Sequence, residues 1–504
     1  MQKNVIEYLE KSVINQPNKT AFFDEKQSIT FKEFQIAAKS IATSIINQGV
    51  ENKSIVVFLP KSIETLVSFI GSAYSHNMYV PVDVSQPIHR IQNIFNVLEP
   101  ALIITNERYS KYISKINTNA KLLIYTDIIN TTIDDNAINH LMSKQISTDP
   151  LYTLFTSGST GIPKGVCVSH QSVIDFVDWV ADTFNVSHTD IIANQSPFYF
   201  DMSVLDIYST LKNGSSLFIT PEKYFGFPKQ ILELLSKYNV TTLFWVPSVL
   251  INIANSGALN DNYDLKINKC LFAGEVMPNK QLNIWRKKYP NCLYGNLYGP
   301  TEIAVICLYY IVDREFNDNE SLPIGYPCKN TGILLIKDDN TLVGVNELGE
   351  ICVRGISLAF GYFNNHEKTE EVFVQNPLNK SYPEKIYKTG DLAYYNERGE
   401  VIYSGRKDYQ IKHNGYRIEL GEIETAVSSL PYIEQCCIIY DNQIVLYYST
   451  REQVDEEIIK KDLLSLIPKY QIPSLYIYKE SLPLNPNGKI DRVLLKNELK
   501  GEIK

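Results

Sequence analysis

Residues 156–165 read TSGSTGIPKG. Glycines at 158, 161 and 165 let the backbone come close to a ligand. Thr156, Ser157, Ser159 and Thr160 add hydroxyl donors, and Lys164 adds a positive charge. The preceding LYTLF (151–155) reads as a strand, and a Gly/Ser/Thr nest after a strand suits an anion such as phosphate. The stretch is not a Walker A loop, which needs G-x-x-x-x-G-K-[ST]. Counting from Gly158, Pro163 stands where the second glycine belongs, and Gly165 follows Lys164 in place of Ser or Thr. A phosphotransferase of P-loop type is thereby excluded. Taken alone, the stretch leaves a flexible surface loop as the alternative.

Working outward, the sequence alternates helix and strand signals. TFKEFQIAAKSIATSIINQG (30–49) predicts a helix, with Phe31, Phe34, Ala38, Ile41 and Ile45 on one face. Thr30 with Glu33 makes a capping box, and Gly49 is a stop. SIVVFL (54–59), ETLVSFIGSAY (64–74) and MYVPVD (78–83) follow as strand, helix and strand, with ALIIT and KLLIYT as further short strands. This alternation predicts an α/β fold built on parallel sheets covered on both faces. The pattern changes near residue 400. VIYSG leads into GRKDYQIKHNGYRIELGEIETAV, two strands at EQCCIIYD and NQIVLYYST, an amphipathic helix around EEIIKKDLLSLI and a strand SLYIYKE. The expected division is a large N-terminal domain, 1–407, and a small α+β C-terminal domain, 408–504.

The remaining constraints come from composition. A chain of 504 residues has room for about two to four domains. A net charge of −8 argues against nucleic-acid binding, since no general positive field would attract phosphate backbones. No run reaches the ~18 apolar residues of a membrane span. MQKNVIEYLEKSVINQ lacks a secretory apolar core, and the eight cysteines form no CxxC pair. A reducing cytoplasm is the expected compartment. A monomer is the expectation for the oligomeric state, which no motif specifies.

TSGSTGIPKG resembles the phosphate-loop signature of the adenylate-forming superfamily, which holds acyl-CoA synthetases, luciferases and the adenylation domains of nonribosomal peptide synthesis. The resemblance continues in order along nearly the whole chain. YVPVD (79–83), NLYGPTE (296–302), YKTGDL (387–392), GRKDYQIKHNGYRIELGEIE (405–424) and NPNGKIDR (485–492) are similar to further motifs of that superfamily. The fold it implies has doubly wound sheets with helices, a β-barrel-like part and a small mobile C-terminal domain. The chemistry it implies joins a carboxylate to the α-phosphate of ATP with release of pyrophosphate.

The resemblance also assigns residues. The loop 156–165, including Thr156, Ser157, Gly158, Ser159, Thr160, Gly161 and Lys164, would hold the β,γ-phosphates. Thr301 would contact the α-phosphate and Glu302 would help hold Mg²⁺, an ion that takes few protein oxygens and keeps phosphates as ligands. Tyr298 is similar to the residue that stacks on adenine. Asp391 would accept the ribose hydroxyls with Arg406 as helper. Lys489, in NGKIDR, would bridge substrate carboxylate and α-phosphate. Asp408 would be the hinge about which the C-terminal domain rotates between half-reactions, and Gly415 would line the thiol tunnel.

PFYFDMSVLDIY (197–208) resembles the amino-acid-activating branch, in which Asp201 pairs with the substrate ammonium. A helix N-cap is the alternative role for Asp201. The pocket positions carried over are Asp201, Met202, Leu205, Trp245, Leu271, Ala273, Leu297, Val305, Ile306 and Lys489. Beyond the two charges this lining is apolar and mostly large, so a small apolar side chain fits best. Stand-alone D-alanine–carrier protein ligases share similar stretches at DFVDWVADTF, FDMSVLDIY and LFAGEVMP. They carry Cys where this chain has Ala273, which leaves D- and L-alanine and other small amino acids open. The chain stops soon after NGKIDR, so the carrier with its phosphopantetheine is expected as a separate protein. Two rivals remain: an acyl-CoA ligase of the same superfamily acting on an acid without an amine, and a non-catalytic nucleotide-binding homologue.

Overall fold

The computed structural model describes residues 2–158, 162–407, 410–450, 454–483 and 490–501. Ser159, Thr160, Gly161, Asp408 and Lys489 lie outside them. The predicted first helix forms at Phe31–Ile46, opened by the Thr30–Glu33 capping box. Its buried Phe31, Phe34, Ala38, Ile41 and Ile45 make the apolar face. The helix ends three residues before Gly49, whose φ of 70° turns the chain out of the helix.

Two large sheets follow from the strand–helix alternation. The first has seven strands in the order Gly361–Tyr362, Lys164–Ser169, Pro150–Thr156, Met78–Pro81, Ser54–Phe58, Leu102–Thr105 and Lys121–Ile124. The last five run parallel. The second has nine strands, and the six from Leu293–Tyr298 through Lys269–Ala273, Thr242–Trp245, Ile191–Asn194 and Ser216–Ile219 to Thr20–Phe23 are parallel. Their strands read as continuous apolar runs because both faces are covered. One core joins the two sheets, with Ile55, Val57 and Tyr79 from the first and Leu217, Leu271 and Leu297 from the second. Helices Ile63–Tyr74 and Met202–Asn213 lie in it, and the Tyr208 hydroxyl donates to Tyr79 Oη at 2.9 Å.

A third, antiparallel sheet of five strands spans Thr331–Ile336 to Val401–Arg406. It is the expected β-barrel-like part, and its terminal strands are not paired with each other among the described residues. VIYSG belongs here: Val401–Arg406 pairs with Lys385–Tyr395. The strand therefore lies at the edge of the preceding sheet, ahead of residue 408.

Residues 410–501 carry a hairpin (Gln410–His413 with Tyr416–Glu419), a three-stranded sheet and helices Leu420–Ser428, Glu456–Leu463 and Arg492–Leu499. Ile418, Ile423, Val427, Ile438, Leu446, Ile459 and Leu463 pack together as a core of their own. No helix among the described residues is long and apolar enough to cross a membrane.

Candidate functional site

In parallel sheets, ligands bind beyond the carboxyl ends of the strands. Here Pro150–Thr156 ends at Thr156, just before Ser157 and Gly158, Lys269–Ala273 ends at Ala273, and Leu293–Tyr298 ends at Tyr298 and the GPTE turn. These ends surround one cavity lined by Thr156, Ser157, Asp201, Met202, Val246, Ala273, Thr301, Val305, Ile306, Asp391 and Arg406. The hairpin closes it from above with Lys412, Gly415 and Arg417. A larger cavity of about 510 Å³, between Lys61, Asp83, Tyr199 and Glu222, holds none of the expected site residues.

The GPTE turn is built under strain. A Cβ on Gly299 would lie 2.2 Å from the Val305 carbonyl oxygen, so only glycine fits. Ala304 and Val305 take φ of 47° and 81°, and a β-branched residue there is an outlier of the kind that clusters at functional sites. The short turn Thr301–Ile303 sets Glu302 inward, where it is fully buried. Arg417 Nη1 donates to Glu302 Oε2 at 2.6 Å and the Tyr362 hydroxyl to Oε1 at 2.8 Å. Burial alone would push Glu302 up. The Arg417 and Lys164 charges, with the Arg417 and Tyr362 hydrogen bonds, outweigh it and hold Glu302 down at about 2. This carboxylate is an anionic oxygen donor that fits Mg²⁺, which needs only one or two carboxylates beside phosphates and water.

Lys164 Nζ sits 5.2 Å over the Tyr362 ring and 3.9 Å from Glu419. The Ser157 hydroxyl donates to the Arg417 carbonyl at 2.8 Å, so the described part of the loop bonds the hairpin directly. On the opposite wall Asp391 is 1% exposed. It accepts from the Tyr298 hydroxyl on one oxygen and from Arg406 Nη1, at 2.8 Å, on the other.

Asp201 stands just before helix Met202–Asn213 and makes no side-chain capping bond, so the N-cap alternative has no support in the geometry. It keeps part of its surface open to the cavity. Desolvation pushes its carboxyl up, partly offset by the Thr301 hydroxyl, while the buried Glu302 charge adds to the rise. A desolvated carboxylate of this kind is stabilised by a cation, and the Lys412 charge already pulls it down in part. Met202, Leu205, Leu271, Ala273, Leu297, Val305 and Ile306 all belong to the core beside it.

Trp245 is a correction. Side chains alternate across a strand, and in Thr242–Trp245 it is Phe244, with the following Val246, that joins the cavity-side core. Trp245 packs on the other face with Leu250, Phe272 and Trp285, edge-on to Phe225, its indole N–H donating to the Ala193 carbonyl at 2.8 Å. The wall position is taken by Val246.

Sequence reasoning did not single out four groups. Lys412 reaches 5.3 Å from the Tyr298 ring centre, and burial pushes its ammonium down against the pull of Asp391 and Asp201. Arg417 neutralises Glu302. Glu275 accepts from the Gly415 N–H at 2.8 Å and from the Ser248 N–H at 3.0 Å, which ties the hairpin turn to the sheet end. Tyr362 completes the Glu302 cradle. Lys412 and Arg417 were visible as cations within QIKHNGYRIE; Tyr362 carried no signal.

The chain matches the family described as AMP-binding enzyme over residues 9–363. The D-alanine–D-alanyl carrier protein ligase of Bacillus cereus (strain G9842) is 30% identical over 515 aligned positions, covering 98% of this chain and 99% of that protein. The ligase of the same name from Bacillus anthracis (strain CDC 684) is also 30% identical. Among solved structures, the Vibrio cholerae adenylation domain AlmE in complex with glycyl-adenosine-5'-phosphate superposes with a TM-score of 0.85 at 20% identity, over 99% of this chain and 98% of that one. PA1221, a protein with adenylation and carrier domains, gives 0.83 at 20% identity over 98% and 84%.

Proposed function

The chain belongs to the AMP-binding enzymes, and on that premise we propose that it activates a small amino acid, alanine or one of similar size, as an aminoacyl-adenylate. It then passes the acyl group to the phosphopantetheine thiol of a separate carrier protein. The coarser statement, an adenylate-forming ligase, follows from the family. The observation that carries the finer one is Asp201: a desolvated carboxylate beside Thr301, facing a cavity whose nearby walls are Met202, Ala273, Val305 and Ile306.

In the first half-reaction a substrate carboxylate oxygen attacks the α-phosphorus of ATP. A new P–O bond forms, and the bond to the β-phosphate breaks to release pyrophosphate. Two anions about 4 Å apart repel by ~4 kcal/mol at a partly screened dielectric, so fixed cations and dipoles must offset that cost. In this reading the stretch 156–165, with Lys164, holds the β,γ-phosphates, and Thr301 meets the α-phosphate. Tyr298 lies against adenine, while Asp391, steadied by Arg406, takes the ribose. Lys489 bridges the two reacting groups. Glu302 is the residue that would hold Mg²⁺, which when bound neutralises phosphate charge. Asp201 fixes the ammonium and thereby aims the carboxylate.

In the second half-reaction the thiol sulfur attacks the acyl carbon, AMP leaves, and the thiol proton passes to solvent. We assign the orientation described above to this step, with Gly415 at the thiol path, Lys412 beside the nucleotide residues and Arg417 on Glu302. Residues 408–504 then act as a domain turning about Asp408. The relatives named for D-alanine and the glycyl-adenylate complex of AlmE both favour a small substrate.

The test supplies ATP, Mg²⁺ and pantetheine with D-alanine, L-alanine, glycine, larger amino acids or propionate, and detects acyl-pantetheine by mass. Thioester with a small amino acid and none with propionate is expected. Equal yield from propionate would overturn the role of Asp201.

A further inference from the structure

Besides Arg417–Glu302 and Lys164–Glu419, a further ion pair crosses between the large sheets' side of the molecule and the C-terminal segment. Arg90 lies in helix Ile88–Leu98 and Glu422 in helix Leu420–Ser428, immediately after the hairpin. Arg90 Nη1 donates to Glu422 Oε1, and Gln471 Nε2 donates to Oε2 at 2.8 Å. The three residues are 5%, 3% and 0% exposed. Beside them Tyr470 stacks on Tyr416 at 3.9 Å, and Tyr416 meets Phe200 edge-on at 5.2 Å. Both charges have been taken fully out of water, which is unfavourable unless each keeps its partner.

We propose that Arg90 is a positioning residue for the transfer half-reaction alone: its buried pair with Glu422 holds the hairpin over the site. This rests on the function proposed above. Glu422 is seven residues beyond Gly415 on the segment that delivers Lys412, Gly415 and Arg417 to the cavity. If the segment turns to bring Lys489 to the α-phosphate, Glu422 leaves Arg90 and both charges regain water. The pair therefore favours one orientation and contributes nothing to the other. Arg90 is not among the residues that line the cavity, although Tyr470 beside it is, so adenylation has no direct use for its charge.

The experiment compares the unaltered chain with Arg90→Met, Arg90→Lys, Glu422→Gln and the double variant Arg90→Met/Glu422→Met. It reads amino-acid-dependent exchange of labelled pyrophosphate into ATP, and separately the transfer of isolated aminoacyl-adenylate to pantetheine. Arg90→Met should lower transfer on the order of 100-fold and leave exchange within about threefold. Arg90→Lys should recover part of it, and the double variant should transfer better than Arg90→Met because no charge is stranded. Glu422→Gln covers the case in which Arg90→Met fails to fold. Equal loss of exchange and transfer, or undiminished transfer in a folded variant, would overturn the inference. Absence of exchange in the unaltered chain would instead overturn the function on which it rests, and the inference with it.

Discussion

Gly415→Ala separates two effects of one methyl group. Asn414 and Gly415 form a two-residue hairpin loop between His413 and Tyr416, with φ of 52° and 79°. Asn-Gly is the pair that such a turn favours, since both residues take positive φ. Alanine there costs about 1–2 kcal/mol of backbone strain wherever the hairpin lies. The second effect exists only while the hairpin covers the site. The new Cβ would stand 2.6 Å from Val246 Cγ1 and 3.4 Å from Val246 Cβ and Cγ2. Val246 is buried, so its side chain has little room to yield. Overpacking of this kind costs roughly 1–3 kcal/mol, which is about 5- to 150-fold in the population of the covered orientation. Gly415→Ala should therefore lose a little thermal stability, keep pyrophosphate exchange, and transfer aminoacyl-adenylate to pantetheine 5- to 150-fold more slowly, within that same estimate. Adding Val246→Ala should return most of the transfer rate, because the two residues are in contact and their effects couple. Single-turnover transfer in all four forms, with Val246→Ala as control, decides the matter. Normal transfer in folded Gly415→Ala, or a loss that Val246→Ala leaves untouched, would refute the reasoning.

Three further outcomes are expected. Lys489→Ala should abolish exchange but still transfer supplied aminoacyl-adenylate; loss of both in a folded protein would remove Lys489 from adenylation. Asp201→Asn should raise the amino-acid KM in exchange on the order of 100-fold, as expected when a buried charge loses its partner, and an unchanged KM would deny the ammonium contact. His170 is held down to about 4 by burial and accepts the Val5 N–H at 3.3 Å, so the fold keeps it neutral. A depressed His favours the fold above its unfolded value of 6.5 and loses that favour as pH falls towards 4. Urea unfolding should show about 3 kcal/mol of extra loss between pH 7 and pH 4 that His170→Gln removes, from 1.36 kcal/mol for each pH unit; an identical pH profile in the variant would contradict this.

Much of the architecture was legible because local and global signals agree. The Thr30 cap, the apolar face of Phe31–Ile46 and the unbroken apolar strands each specify an element without reference to distant residues. The candidate site's residues were legible where they sit inside contiguous motifs, as with Thr301 and Glu302 just after a strand and Asp391 within one. Partnerships were not. Arg417 and Glu302 are 115 positions apart and Tyr362 and Glu302 are 60 apart, and nothing local marks either pairing. Trp245 failed for a different reason: a strand turns each side chain to one face or the other, and a shift of one residue exchanges wall for core. A strand carries no local sign of which sheet will accept its hydrogen bonds; for VIYSG the register with Lys385–Tyr395 decides it.

The most direct test of the account is amino-acid-dependent exchange of labelled pyrophosphate into ATP, run across D- and L-amino acids, glycine and a few desamino acids. The account predicts exchange with alanine or an amino acid of similar size, and none with the matching desamino acid. Exchange driven equally by an acid without an amine, or by no amino acid at all, would contradict it.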